Sequence, residues 1–168
     1  MKFLILALIT LLPFSLIAGP EQIKASDMQW KEHFGSSSAE PHTTFCLMAR
    51  GFFRSPTKNV QSFTEAWLKK HPKAKLIRVC SMPASTKDPQ ALLTFVWVVD
   101  GERSLNLELV RQGCLHPATQ TIGEEQKLDV PQADYDAFTK KLTPAAEYAR
   151  EHRLGLWSDP RAFDDSDD

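Results

Sequence analysis

Basic side chains gather in one stretch of this 168-residue chain. Arg50, Arg54, Lys58, Lys69, Lys70, Lys73, Lys75 and Arg78 share it with Glu65 as the only acid. Such a density of guanidinium and ammonium groups suits phosphate, and Phe52, Phe53 and Trp67 offer rings on which a base would stack. Arg50, Arg54 and Lys58 are therefore candidate nucleic-acid contacts. A solvated helix face over core aromatics gives the same pattern, with the lysine stems lying along apolar surface. The whole chain carries a net charge of −1, so no global field draws a polyanion.

Other reactive groups converge less. Cys46, Cys80 and Cys114 permit one disulfide and one free thiol in an oxidising compartment, and all three pairings stay open. No C-x-x-C or His–Cys spacing marks a metal site. His42, His71 and His116 share no ligand spacing, and His71-Pro72 reads as a helix stop, so surface roles are expected for all of them. Ser55 has no histidine or acid constellation beside it and reads as a turn residue.

The elements that must position these groups follow from periodicity. A loop of composition GSSSAEP at 35–41 separates a short polar segment, 23–34, from an apolar strand at 44–49. Val60, Phe63, Trp67 and Leu68 recur at helical spacing until Pro72. Residues 75–80 alternate and residues 92–99 (LLTFVWVV) run β-branched and aromatic, so both predict strands, with a proline-bearing loop between them. Asp100-Gly101 predicts a turn. A helix then ends at Gly113, a long loop covers 116–132, and an amphipathic helix spans 133–153 with a kink expected at Pro144. Gly155 ends that helix, and Leu156 and Trp157 are expected to fold back onto the core.

The chain's start has a different character. Lys2 precedes the almost uninterrupted apolar run FLILALITLLPFSLIA at 3–18, which is short for a membrane span and holds Pro13. Residues 1–19 are expected to be a signal peptide, or else an uncleaved N-terminal anchor, which is the one route by which a membrane would be engaged. Cleavage after Gly19 would leave residues 23–27 as a first strand, whereas cleavage after Ala25 would largely remove it. No cysteine directly follows the run, so no lipid anchor is indicated. Residues 20–158 then form one domain, and 159–168 an acidic disordered tail holding Asp164, Asp165, Asp167 and Asp168.

Within that domain, FVWVVDGERSLNLELVRQGC at 95–114 resembles the segment of staphylococcal-nuclease-like domains in which the last barrel strand turns at Asp-Gly and enters a helix reading LN-x-x-LV-x-x-G. Residues 135–157 are similar to that family's final helix, and Ser62-Phe63-Thr64 with the strand LIRV to its first helix and fourth strand. The resemblance implies an α+β fold: a five-stranded barrel of the oligonucleotide-binding type, covered by about three helices. An independent physical reading agrees, since this order of strand, turn and amphipathic helices places helices over an antiparallel sheet.

The resemblance also implies chemistry: calcium held by aspartates, a glutamate base for water, and two arginines clamping phosphate. This chain departs from that set. Cys46 stands where the first arginine would be, residues 51–54 (GFFR) replace the acidic loop, and Gln90-Ala91-Leu92-Leu93 replaces the second arginine's setting. The nearest match to a metal aspartate is Asp27. The expectation is an exported, catalytically silent relative that needs no cofactor and binds nucleic acid or protein. The alternative is a secreted calcium-dependent nuclease assembled from residues such as Asp27, Asp88 and Arg54.

Overall fold

The computed structural model describes residues 23–49, 59–117 and 126–158. The apolar leader, the acidic tail, and with them Arg50, Phe52, Phe53, Arg54, Ser55 and Lys58, lie outside the described residues. The fold is α+β. Its strands are β1 (Gln29–Lys31), β2 (Phe34–Ser36), β3 (Thr43–Leu47), β4 (Lys75–Pro83), β5 (Leu92–Asp100) and β6 (Arg103–Ser104). Its helices are α1 (Val60–Lys70), α2 (Leu105–Arg111) and α3 (Gln132–Glu151).

The strands form one mixed sheet in the order β1-β2-β3-β5-β4, with β6 paired to β5. The β3–β5 pair is parallel and the others are antiparallel. This is a six-stranded mixed sheet that does not close on itself. Among the described residues the edges approach where Lys24, ahead of β1, forms an isolated antiparallel bridge with Lys75 of β4. The Ala25 amide donates to the Ala74 carbonyl there at 3.1 Å.

The first strand also lies later than expected. Residues 25–27 make a single 3-10 turn, with Ala25 wholly buried, and pairing begins at Gln29. Gly35 and Ser36, read as loop from composition, belong to β2. Gly35 is needed at its place: a Cβ there would sit 2.9 Å from both Met28 Cε and Trp30 Cζ3.

Register divides the sheet into two faces, because successive side chains alternate and paired residues share a side. Phe45, Leu47, Val96, Val98 and Leu76 fill one face and are buried. The opposite face carries Cys46, Phe95, Trp97 and Cys80. There α3 lays Phe138 on the Trp97 ring with centroids 4.1 Å apart, and Tyr135 lies 6.2 Å away. A bulge between Arg78 and Cys80 frees the Val79 carbonyl to accept from the Asp129 amide at 2.8 Å, so the segment after the second undescribed gap is tied to β4.

Helix α1 buries Val60, Thr64, Trp67 and Leu68, the i, i+4, i+7, i+8 stripe that period 3.6 requires. It stops where Pro72 removes an amide, and the His71 N–H closes the last turn onto Trp67 and Leu68 carbonyls. Helix α2 starts on the Ser104 hydroxyl, which accepts from the Leu107 amide. It ends at Gly113, whose φ of +64° is the left-handed C-cap. Helix α3 is continuous through Pro144. That residue is exposed, so the carbonyl it leaves without a donor can turn to water.

One buried amide joins three elements. Asn106, fully buried in α2, accepts from the Val98 amide at 2.8 Å and donates to the Met48 carbonyl at 2.7 Å and the Val96 carbonyl at 2.9 Å. Unpaired buried groups cost about 1–3 kcal/mol each. Asn106→Leu is therefore expected to lower the unfolding free energy by about 3 kcal/mol in urea titrations. Asn106→Asp, which keeps the acceptor and loses the donors, should cost nearly as much at neutral pH. A loss below about 1 kcal/mol in either would show that the clamp does not hold the sheet to α2.

Candidate functional site

β3 carries a thiol, Cys46, at the position where the resemblance implies an arginine. Cys46 is wholly buried, pairs with Phe34 of β2 on one side and with Phe95 of β5 on the other, and Phe95 pairs onward with Cys80 of β4. Phe34, Cys46, Phe95 and Cys80 thus form one row across four strands on a single face. Phe95 and Cys80 are buried, and Phe34 is half-buried at the end of the row. Cys80 is bridged in turn to Leu128.

All three cysteines are buried free thiols. Cys46 and Cys80 stand two strand spacings apart, about 9.5 Å, with Phe95 between them, which exceeds the roughly 7 Å reach of a disulfide. Burial pushes the Cys46 thiol up to about 12. It pushes Cys80 up to about 11, with the nearby Asp129 carboxylate adding to the effect.

The acids that would replace the family's metal ligands are not brought together. Asp27 lies in the 3-10 turn, three residues from the Lys24–Lys75 bridge, and its carboxylate accepts from the Ser26 hydroxyl at 3.2 Å. Asp88 lies beyond the other end of β4 and closes its own turn by accepting from the Gln90 amide at 3.0 Å. At about 3.3 Å per residue, the length of β4 separates these regions by about 26 Å. Gln90 is exposed in the same loop. Among the described residues no group of three or more His, Cys, Asp or Glu side chains gathers as a metal would need. Asp27 and Asp88 therefore do not supply the several oxygen ligands at one point that a calcium centre of the kind the resemblance implies would need.

The remaining polar groups hold structure. Glu40, in the loop between β2 and β3, pairs with the Arg78 guanidinium, which lies 5.4 Å from the centre of the Phe45 ring. His71 is buried rather than on the surface. Its Nδ1 lies 2.9 Å from Asp100 Oδ2 at the β5–β6 turn, and its ring stacks on Trp67 at 4.0 Å. His42 is exposed, and His116 is half-buried 5.7 Å from the Trp157 ring. His33, at the β1–β2 turn, has its pKa lowered by burial, opposed by the neighbouring Glu32 charge.

A groove of about 580 Å³ runs between the start of β1 and the end of α1, lined by Ser26, Met28, Trp30, Glu65, Leu68 and Lys69 among others. Sequence reasoning missed both the His71–Asp100 pair and the Arg78–Glu40 pair. Their members lie 29 and 38 residues apart, and no local pattern signals either.

No protein-family model matches the chain, and no curated protein matches it in sequence.

The thiols give this face a measurable signature. Their raised pKa values keep them neutral in the folded chain, so the unfolded chain ionises first once pH passes the ordinary 9.0. The stability they contribute is complete below that value and falls as pH climbs toward 11 and 12. At about pH 8, iodoacetamide should modify Cys46 and Cys80 at least tenfold more slowly in the native protein than in urea, read by peptide mass spectrometry. Equal rates would place the row at the surface.

Proposed function

We propose that this chain is an exported, staphylococcal-nuclease-like barrel domain that binds nucleic acid without hydrolysing it. The strand order supports the barrel. A β1-β2-β3-β5-β4 sheet whose edges approach at Lys24–Lys75, with α1 crossing between β3 and β4, is a partly open Greek-key arrangement.

The observation that carries the functional reading is the row Phe34–Cys46–Phe95–Cys80. A phosphate clamp needs cationic forks reachable from solvent, and a metal-activated water needs carboxylates beside it. The row offers neither, since its centre is an uncharged thiol at 0% exposure.

Binding needs less. On barrels of this type the face of strands 2 and 3 takes oligonucleotides. Here that face ends in the half-buried Phe34 ring, with exposed Lys31 directly across from it on β1 and exposed Thr44 and Ser36 nearby. The arrangement suits a stacked base and a backbone phosphate. Arg50, Arg54 and Lys58 follow β3 in the chain and would extend the contact.

Export bears on the same fold. Lys24 and Ala25 hold the sheet edges together, so processing is expected ahead of Ile23 and not after Ala25. The mature chain should begin at Pro20. Intact-mass measurement of the secreted product tests this, and a chain starting at Ser26 would overturn it.

The binding reading is tested with the full chain and a fluorescent thymidine oligonucleotide. Affinity should fall with salt, and Arg50→Ala with Arg54→Ala should reduce the slope of log K against log salt by about 1.4, at roughly 0.7 per phosphate contact. No oligonucleotide cleavage is expected with millimolar calcium. Calcium-dependent cleavage that survives repurification and disappears in Asp27→Asn would overturn the reading in favour of a diverged nuclease.

A further inference from the structure

One stretch of the described chain is held by little. Residues 126–130, ahead of α3, form no helix or strand and cross the outer edge of β4, the last strand in the sheet order. Their backbone tie is the isolated antiparallel bridge between Leu128 and Cys80, in which the Asp129 amide donates to the Val79 carbonyl at 2.8 Å. Leu128 and Val130 are half-buried against the core, while Lys127 and Asp129 are exposed. A segment with few buried apolar groups and an isolated bridge sits at the low end of local stability.

This segment covers a reactive group. Cys80 is paired with Phe95 on its inner side and meets Leu128 on its outer side. The thiol is buried, and the Asp129 carboxylate lies close enough to add to the effect of burial in holding it up at about 11. Release of residues 126–130 weakens both causes at once, so the thiolate, which is the nucleophile, forms more readily in the released state.

Cys46 makes the contrast. It is buried in β3, which is paired on both sides, to β2 opposite Phe34 and to β5 opposite Phe95. Uncovering it requires strands to part, and that is unfolding of the sheet.

We propose that residues 126–130 are a strap that opens as a local unit over the β4 edge, uncovering the Cys80 thiol while the sheet stays folded. The strap thereby sets which thiol of the Phe34–Cys46–Phe95–Cys80 row the folded protein presents. The device is independent of nucleic-acid binding at the β2–β3 face.

The test pulses the full chain with iodoacetamide at about pH 8 across a urea series that ends below the unfolding transition, and peptide mass spectrometry reads the rate at each thiol. Cys80 should react at least about tenfold faster than Cys46 in native buffer. Its rate should change little with urea, because opening residues 126–130 exposes little surface, whereas the Cys46 rate should climb with the steep slope of global unfolding. Hydrogen exchange at the Asp129 amide should show the same shallow slope as Cys80. Asn106→Leu loosens the sheet and leaves the strap's own contacts in place, so it should raise the Cys46 rate by a larger factor than the Cys80 rate. Equal rates with equal urea slopes at the two thiols would show that the strap opens only with the whole fold, and would overturn the proposal. So would a rise by one common factor in Asn106→Leu.

Discussion

The fold depends on how the chain solves a backbone problem where β3 leaves the sheet. β3 pairs with β5 only as far as Leu47 opposite Val96, while β5 continues to Asp100. Beyond that point β3 no longer lies beside the Val98 amide. A buried unpaired amide there would weaken the centre of the sheet. Asn106 supplies the missing partner, and its side-chain amide does so with both kinds of group at once: an acceptor for Val98 and two donors for Met48 and Val96. No apolar residue, hydroxyl or carboxylate of that length offers the same set. The route from β5 through the Asp100–Arg103 turn and the Ser104 cap fixes where Asn106 enters, so α2's placement is set by this satisfaction of the sheet.

With α2 so placed, α3 follows. The loop after α2 and the loop after α3 touch through their glycines: a Cβ on Gly113 would lie 2.1 Å from the Leu154 carbonyl oxygen, and one on Gly155 would lie 2.3 Å from the Gly113 carbonyl oxygen. Both have positive φ, which a side chain would resist even without the contact. The Leu156 amide then donates to the Gly113 carbonyl at 2.8 Å, and Trp157 is carried onto the core beneath the Arg150 guanidinium. These glycines specify a crossing in which two helix ends approach at backbone distance, and α3 can then set Phe138 against Trp97.

The long elements were legible because each has a local cause. The stripe in α1, the β-branched run of β5, the Asp100-Gly101 turn and the Gly113 stop all state their structure within a few residues. The short strands were not. β1 and β2 are three residues each, QWK and FGS, too brief for alternation and too polar to suggest pairing. The parallel β3–β5 pair joins residues about fifty positions apart, and no local pattern encodes it. Asn106 left a signal that composition alone could have used: it is the polar residue among Leu105, Leu109 and Val110 on α2's buried side, where burial demands a partner. The basic candidates Arg50, Arg54 and Lys58 fall outside the described residues, so their reading stays at the level of sequence.

The candidate site turns on the difference between a face that is covered and one that is reachable. Cys46 occupies the β3 position at which the resemblance to nuclease-like domains implies an arginine. An arginine there would have to keep its guanidinium hydrated or paired, because an isolated buried charge is prohibitively costly. A thiol escapes that demand: it is small, weakly polar and stable as the neutral form in an apolar row. Cys46 therefore sits wholly buried between Phe34 and Phe95, where a charged residue would need a partner or water. A thiol at this position adds to the core at the centre of the row, while the row's end at Phe34 stays half-buried.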